Sequence, residues 1–248
     1  MTAGRVRGGF NQYGFTVGIL MLDTQFPRIP GDMGNAATFP FPVRYHRVTG
    51  ATPDRVVRRG AEGLLSNFVD GARALEREGV GAITTNCGFL VRYQREVAAS
   101  VQVPVFTSSL LLVPLVHRML GPGRQVGVMT VNAAALGPDH MAGAGITADI
   151  PLAIAGLETE KEFTRVMLGD ELELDVDLAR EEHLRVASRL VTDHPDIGAI
   201  VLECTNMPPY ADDVRRATGR AVFDVVSLVT LAYDALAAAG GPRPAEAP

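Results

Sequence analysis

Two stretches of this sequence decide the fold: AITTNC at residues 82–87 and AIVLEC at residues 199–204. Each is a run rich in apolar and β-branched residues, which is typical of a buried strand, and each ends in a cysteine. Cys87 and Cys204 are the only cysteines among the 248 residues. A polar or glycine-containing turn and then a helical pattern follow each of them. The stretches therefore predict two strand–turn–helix units that carry a thiol at the same place.

The chain also repeats itself at a spacing of 117 residues, which places Cys87 on Cys204. The other coincident pairs are Tyr93 with Tyr210, Gly-Ala-Ile at 81–83 with 198–200, and Val-Phe at 105–106 with 222–223. A self-match over this length indicates two homologous halves rather than one continuous sheet.

Apolar runs alternate with helical patterns along the rest of the chain. The predicted strands are 16–22, 41–48, 82–87, 103–108, 125–131, 150–156, 199–204 and 221–226, and the clearest helical patterns lie at 54–79 and 175–194. Runs that are apolar throughout are typical of parallel strands covered by helices on both faces. The predicted fold class is α/β, with two pseudo-symmetric parallel-sheet domains and a site between them. The ends, 1–9 and 240–248, are expected to be disordered tails.

Composition excludes several classes of protein. The chain is 47% hydrophobic with a net charge of −5, so we expect no nucleic-acid partner. Its most apolar run, at 105–120, is too short and too interrupted to cross a membrane. The N-terminal residues lack the apolar segment of a secretory signal. We therefore expect a cytoplasmic protein with free thiols.

Two thiols at strand ends suit proton transfer at one carbon. The carboxyl ends of parallel strands are where ligands bind, and the following helix N-terminus stabilises a thiolate or a carboxylate. If the halves face each other, one sulfur removes a proton and the other delivers a proton to the opposite face. Taken separately, each cysteine is more simply read as a small core residue. Neither has a Cys or His partner at ligand spacing, so no metal is expected.

With these residues the sequence resembles the aspartate/glutamate racemase superfamily, through TNCGF around Cys87 and ECTNM around Cys204. The resemblance implies an enzyme that needs no cofactor, with Cys87 and Cys204 as the catalytic acid/base pair. It also implies that the last strand crosses back to the first domain. The expected domains are therefore residues 1–98 plus 211–248, and residues 99–210.

The resemblance also indicates which residues bind substrate. They are Asp23, Thr24, Asn86, Gly88, Thr130, Asn132, Thr205 and Asn206. The sequence departs from the family in placing Asn86 before the first cysteine, so that carboxylate binding relies on the backbone of Gly88. Asn206 stands where glutamate racemases commonly carry histidine. The segment IPGDMGN at 29–35 is either a mobile active-site loop or a plain turn.

The sequence thus predicts a cofactor-independent racemase or epimerase for a small carboxylate-bearing substrate, such as an acidic amino acid or a relative. One alternative is a cis–trans isomerase of the maleate type, in which a cysteine attacks an alkene carbon. Another is a small-molecule binding protein without activity. Retention of both cysteines disfavours decarboxylation, because arylmalonate decarboxylases keep only the second. The apolar segment 109–119 is a candidate surface for a homo-oligomer.

Overall fold

Two four-stranded parallel β-sheets form the protein in the computed structural model, which describes residues 9–238. The strands are β1 (Val17–Met21), β2 (Val43–Arg47), β3 (Ala82–Thr85), β4 (Val105–Phe106), β5 (Gln125–Thr130), β6 (Leu152–Gly156), β7 (Ile197–Leu202) and β8 (Ala221–Phe223). The α-helices are α1 (Leu65–Arg77), α2 (Gln94–Ala98), α3 (Val113–Met119), α4 (Pro138–Gly143), α5 (Phe163–Gly169), α6 (Val176–Asp193), α7 (Ala211–Thr218) and α8 (Val225–Ala238). Every predicted strand is present, and the predicted α/β class with two parallel sheets is confirmed.

The two sheets have the same strand order. The first runs β2-β1-β3-β4 and the second runs β6-β5-β7-β8, with every pair parallel. The 117-residue shift places β3 on β7 and β4 on β8, so the sequence repeat corresponds to equivalent strands. In both sheets the strand that leads to a cysteine is central, and its carboxyl end points to the region between the sheets.

The central strands are apolar because helices cover both of their faces. In β1, Val17, Ile19 and Leu20 are fully buried. Leu20 shares a core with Phe68 and Leu75 of helix α1, whereas Val17 and Ile19 pack in a separate core with Val225 and Val229 of helix α8. Burial of each such side chain contributes about 1.5–3 kcal/mol, so these contacts fix the direction in which each strand delivers its carboxyl end.

The element that returns from the second sheet to the first is a helix, and not the last strand as expected. The last strand, β8, pairs with β7 and stays in the second sheet, whereas helix α8 crosses back. Val225 and Val229 of α8 pack in a core with Val17, and Tyr233 stacks on Phe41 at 3.7 Å between ring centroids. The expected division into 1–98 plus 211–248 and 99–210 therefore puts β4 in the wrong half, and likewise α7 and β8. The physical reason is that strand hydrogen bonds keep β8 beside β7, while the apolar face of α8 is free to dock elsewhere.

The helical pattern predicted over 54–79 is interrupted. A short π-helix, Asp54–Arg58, and α1 are separated by residues 59–64. In that break Gly60 and Ala61 have φ angles of 61° and 57°, a left-handed conformation that stops a helix. The break places the π-helix over the carboxyl end of the first sheet rather than along α1.

Helix α3 contains most of the segment predicted as a surface for self-association. Leu115 and Met119 of α3 are 50% and 63% exposed, and self-association through this helix stays a prediction. Within residues 9–238 no helix combines the length and the apolar character needed to cross a bilayer. The tails predicted at 1–9 and 240–248 lie outside the described residues, apart from Gly9.

Candidate active site

Cys87 stands at the junction between β3 and a short 3₁₀-helix, Gly88–Tyr93. Its backbone is extended (φ −150°, ψ 117°), and the N–H of Phe89 donates to its sulfur. Asn86 anchors the turn, because its Oδ1 accepts from the N–H of Leu22 at 2.6 Å. That bond leaves the Asn86 amide nitrogen as a donor for a ligand.

Cys204 occupies the equivalent place after β7 in the second sheet. The backbone N–H of Asn206 donates to its sulfur, as Phe89 does for Cys87. The Cys204 thiol lies 3.5 Å from Oδ1 of Asn206 and donates to it. Each sulfur therefore has a backbone N–H donor two residues further along the chain, and the Asn206 acceptor distinguishes Cys204 from Cys87.

Both sulfurs line one cavity between the two halves of the molecule. The wall is formed by Leu22, Phe26, Pro53, Val57, Asn86, Cys87, Gly88, Phe89, Val131, Met167, Leu168, Glu203, Cys204, Thr205 and Asn206. Each cysteine is 9% exposed, and neither forms a disulfide. The cavity volume is about 30 Å³, which is room for water and less than a small-molecule site usually offers. Val57 from the π-helix and Met167 from α5 form part of its wall.

Burial sets the electrostatics of the two thiols. It raises the pKa of each thiol above the usual range, and the neighbouring carboxyl of Glu203 raises both further. The N–H donors of Phe89 and Asn206 oppose these effects. In the closed cavity both cysteines are therefore neutral thiols at pH 7, and ionisation needs positive charge to arrive nearby.

A chain of polar contacts runs outward from Cys204. Asn206 Nδ2 donates to Asp32 Oδ2 at 2.6 Å, and Arg28 donates to Asp32 Oδ1 at 2.8 Å. Arg28 also donates to the hydroxyl of Thr24 at 2.9 Å. Because the Asp32 carboxylate is an acceptor, it pairs with the amide nitrogen of Asn206, and Oδ1 of Asn206 faces Cys204. An acceptor oxygen beside the sulfur favours the protonated thiol over the thiolate.

Glu203 is the one ionisable side chain besides the two thiols on the wall of the cavity described above. It is fully buried, and the hydroxyl of Thr130 donates to its Oε2 at 2.7 Å. Burial raises its pKa to about 7, although the Thr130 bond acts in the opposite direction. Gly88 leaves the space that this carboxyl occupies, since a Cβ there would overlap Oε1 and the backbone oxygen of Glu203.

The structure brings together most of the predicted site residues. Asn86, Gly88, Thr205 and Asn206 line the cavity with the two cysteines. The hydroxyl of Thr205, expected to face a carboxylate, instead donates to the backbone oxygen of Asn86.

Four of the predicted binding residues lie off the cavity wall, because local partners hold them elsewhere. Asp23 accepts from the N–H of Gly50 at 3.1 Å, and Thr24 accepts from Arg28. Asn132 caps the turn Ala133–Ala135 through the N–H of Ala135. Thr130 reaches the site only through Glu203. Their contact with a substrate stays a prediction.

Sequence reasoning missed Glu203, Asp32 and Arg28. A signal existed for Glu203, since an acidic residue inside an apolar strand pattern is rarely buried without a purpose. Asp32 lies in the segment 29–35, for which the sequence allows either an active-site loop or a plain turn. It contacts a wall residue of the cavity, so the segment borders the site. Nothing local marked Arg28.

The described residues include no group of three or more His, Cys, Asp or Glu placed to hold a metal ion. The groups that line the cavity include two thiols, one buried carboxyl and the amides of Asn86 and Asn206.

Solved structures define the class of this fold. Allantoin racemase from Klebsiella pneumoniae superposes with a TM-score of 0.62 and 19% identity, over 92% of this chain and 90% of that chain. Arylmalonate decarboxylase gives a TM-score of 0.58 with 17% identity, over 92% and 96% of the chains. A putative Asp/Glu racemase from Yersinia pestis gives 0.57 with 12% identity, over 89% and 99%. The chain has the aspartate/glutamate racemase-like fold, as the sequence resemblance implies.

Proteins with similar sequences identify the family to which the chain belongs within this fold class. The chain is 34% identical over 218 residues to dimethylsulfoniopropionate lyase of Durusdinium sp. clade D, covering 85% of this chain and 71% of that protein. It is 32% identical over 229 residues to dimethylsulfoniopropionate lyase 3 of Emiliania huxleyi (strain CCMP1516), covering 86% of this chain and 57% of that protein. No family model matches the chain. The chain belongs to the dimethylsulfoniopropionate lyase family.

The predicted racemase-like fold is confirmed by the solved structures, and the prediction of an enzyme is confirmed by the family. The isomerase class is not confirmed, because the sequence relatives are lyases. The chain spans less than two thirds of the length of the Emiliania relative. The activity and the substrate of this protein are therefore treated as proposals.

Proposed function

We propose that this protein is a lyase that removes a proton from the carbon beside a carboxylate and expels a neutral sulfide from the next carbon. The proposed substrate is dimethylsulfoniopropionate. The observation that carries the proposal is the single closed cavity lined by Cys87 and Cys204 in a chain of the lyase family. A thiolate in a water-poor cavity is a stronger base than one in solvent.

The reaction balances without a cofactor. A cysteine thiolate takes the proton from the carbon beside the carboxylate. The electron pair of that C–H bond forms a carbon–carbon double bond, and the bond from the neighbouring carbon to sulfur breaks. Dimethyl sulfide leaves with the electron pair of the broken bond, and acrylate remains. The thiol then returns its proton to solvent.

Cys87 is the base in this proposal. The oxygen of Asn206 faces Cys204 and is held there by Asp32, which keeps Cys204 in the thiol form. Cys87 has a backbone N–H donor and no such acceptor. The amide nitrogen of Asn86 and the turn N–H groups are the donors for the substrate carboxylate and for the charge that develops on it.

The experiment is a direct assay. Purified protein is incubated with dimethylsulfoniopropionate, dimethyl sulfide is measured by headspace gas chromatography, and acrylate by proton NMR. Equal amounts of both products above the no-protein control support the proposal. Folded protein that releases neither product overturns it.

Racemisation or epimerisation is the second candidate, favoured by the fact that the two halves each contribute one sulfur to the same cavity. It predicts loss of optical rotation and entry of solvent deuterium at the carbon beside the carboxylate. We rank acidic amino acids lower as substrates, because among the described residues no Lys or Arg lines the cavity to neutralise a second carboxylate. A cis–trans isomerase would instead give a thioether adduct detectable by mass spectrometry, and a binding protein would show neither effect.

A further inference from the structure

Glu203 has one carboxyl oxygen with a partner and one without. Oε2 accepts from Thr130, whereas Oε1 is buried and has no hydrogen-bond partner within residues 9–238. An unpaired buried acceptor costs about 1–3 kcal/mol, and more if it is charged. Since Glu203 lines the cavity, a ligand is the natural source of the missing interaction.

The remaining wall indicates what that ligand group is. Around Glu203 the cavity presents mostly carbon and sulfur, including the rings of Phe26 and Phe89 and the thioether of Met167. An ammonium or guanidinium group would bring several N–H donors, and beside Glu203 the wall offers few acceptors for them, since Oδ1 of Asn206 already accepts from Cys204. A cation without N–H groups needs only a negative charge and apolar or aromatic surface.

The positive charge does not come from the protein. Arg28 is the cation close enough to influence Cys87. Its guanidinium pairs with Asp32 and lies 4.5 Å from the ring centroid of Phe26, and it is not part of the wall. A ligand cation in the cavity would therefore be the main partner for the Glu203 charge.

We infer that Glu203 is the counter-ion for an onium group, a sulfonium or quaternary ammonium, and that it restricts this site to zwitterions that carry such a group near a carboxylate. The inference deepens the lyase proposal and rests on it for the position of the carboxylate. It also explains how buried thiols become reactive. A cation bound beside Glu203 lowers the pKa of the Cys87 thiol, so that the base ionises only when substrate is present.

The test compares two ligands of the same shape. One is 3-(trimethylammonio)propanoate, and the other is 4,4-dimethylpentanoate, in which carbon replaces the charged nitrogen. Affinities are measured by isothermal titration calorimetry at pH 8. We expect the wild-type protein to bind the zwitterion at least tenfold more tightly than the carbon analogue, which carries only the carboxylate charge at pH 8. In Glu203→Gln, which keeps the shape and the bond from Thr130, we expect the two affinities to agree within about twofold.

Glu162→Gln is the matched control, because Glu162 is buried but is not on the cavity wall. It should keep the wild-type ratio. Equal affinities in the wild type, an unchanged ratio in Glu203→Gln, or no binding of the zwitterion at millimolar concentration would overturn the inference.

A second measurement needs no variant. The titratable groups that face Glu203 are the thiols of Cys87, after β3, and Cys204, beside it in the chain. In the protein without ligand burial holds the pKa of both thiols above the usual range, so Glu203, whose pKa is about 7, is the group that changes charge in this interval. The affinity ratio in the wild type should fall between pH 8 and pH 5.5 as Glu203 takes up a proton, and a constant ratio would count against the inference.

These measurements distinguish failure of the onium-site inference from failure of the lyase proposal. Charge discrimination that depends on Glu203, without release of dimethyl sulfide, would leave the onium site in place and remove the lyase reaction. Release of dimethyl sulfide with no effect of Glu203→Gln on the affinity ratio would do the reverse.

Discussion

The hydroxyl of Thr205 donates to the backbone oxygen of Asn86. The residue that follows the second cysteine is thus tied to the residue that precedes the first. Both partners are buried, and the bond joins the turn after β7 to the turn after β3. It sets the register between the two turns that carry the sulfurs.

Thr205→Val should loosen this register. The change keeps the shape of the side chain and leaves the oxygen of Asn86 without its donor, which costs about 1–3 kcal/mol for a buried group. Turnover should fall more than stability would predict, because the sulfurs lose their relative position. Urea unfolding and kcat/KM for the proposed lyase reaction are the measurements. Thr205→Ser should restore both, and failure of the serine variant to do so would contradict the role of the hydroxyl.

Cys87→Ser and Cys204→Ser should have unequal effects. If Cys87 is the base, its replacement removes general-base catalysis and lowers kcat/KM by roughly 10²–10⁴-fold. Cys204→Ser should retain more activity, because serine still donates to Asn206. Dimethyl sulfide release by each variant is the measurement, with circular dichroism as the control for folding. A reversed order would transfer the role of base to Cys204, and equal loss would favour the two-base racemase mechanism.

Asp32→Asn should disturb the chain that holds Asn206. The change replaces one of the two acceptor oxygens by an NH2 group, so the bonds from Asn206 and Arg28 cannot both be kept, and it leaves the largely buried Arg28 without its ion-pair partner. Breaking a buried pair costs about 3–5 kcal/mol. We expect a lower melting temperature together with a lower kcat.

The matched control for Asp32 is Asp212→Asn, whose pair with Arg215 is exposed. An exposed pair contributes about 0–1 kcal/mol, so this variant should resemble the wild type. An Asp32→Asn protein with wild-type stability and kcat would show that the chain of contacts has no role.

Gly88→Ala tests the packing of Glu203. The new Cβ would overlap the carboxyl and the backbone oxygen of Glu203, and forced overpacking costs about 1–3 kcal/mol. Activity should fall at least tenfold because the carboxyl is displaced. Gly121→Ala is the control, since a Cβ there meets nothing within 4 Å. If Gly88→Ala were as active as Gly121→Ala, the close approach would be irrelevant to function.

Burial of Glu203 should make stability depend on pH. Its pKa is raised from 4.5 to about 7 in the folded protein, so the folded state binds more protons between these values. Stability from this group is fully present below pH 4.5 and is lost as pH rises through 7, a change of roughly 3 kcal/mol.

Glu203→Gln removes this dependence. The variant should therefore be more stable than the wild type above pH 7, with the difference shrinking toward pH 4.5. Urea unfolding of both proteins at pH 5 and pH 8 gives the comparison. His183, whose pKa burial lowers to about 4, affects both proteins equally and cancels in the difference. A difference that does not change with pH would contradict the raised pKa of Glu203.

Local patterns in the sequence determined much of this protein. The apolar runs predicted each strand because a buried parallel strand must be apolar on both faces. The repeat predicted two similar sheets, and the position of Cys87 and Cys204 at strand ends predicted that both would reach the region between them. These features depend on residues that are close together in the chain, so the sequence carries them directly.

Contacts between residues that are distant in the sequence were decided by the tertiary structure alone. The contact between Asp32 and Asn206 joins residues far apart in the sequence, and so does the packing of Gly88 on Glu203. The return of α8 to the first sheet depends on where its apolar face finds the largest partner surface, which no local pattern records. The closed cavity and the unpaired oxygen of Glu203 arise only when both halves meet, because burial and electrostatic environment are properties of the packed molecule and not of any segment.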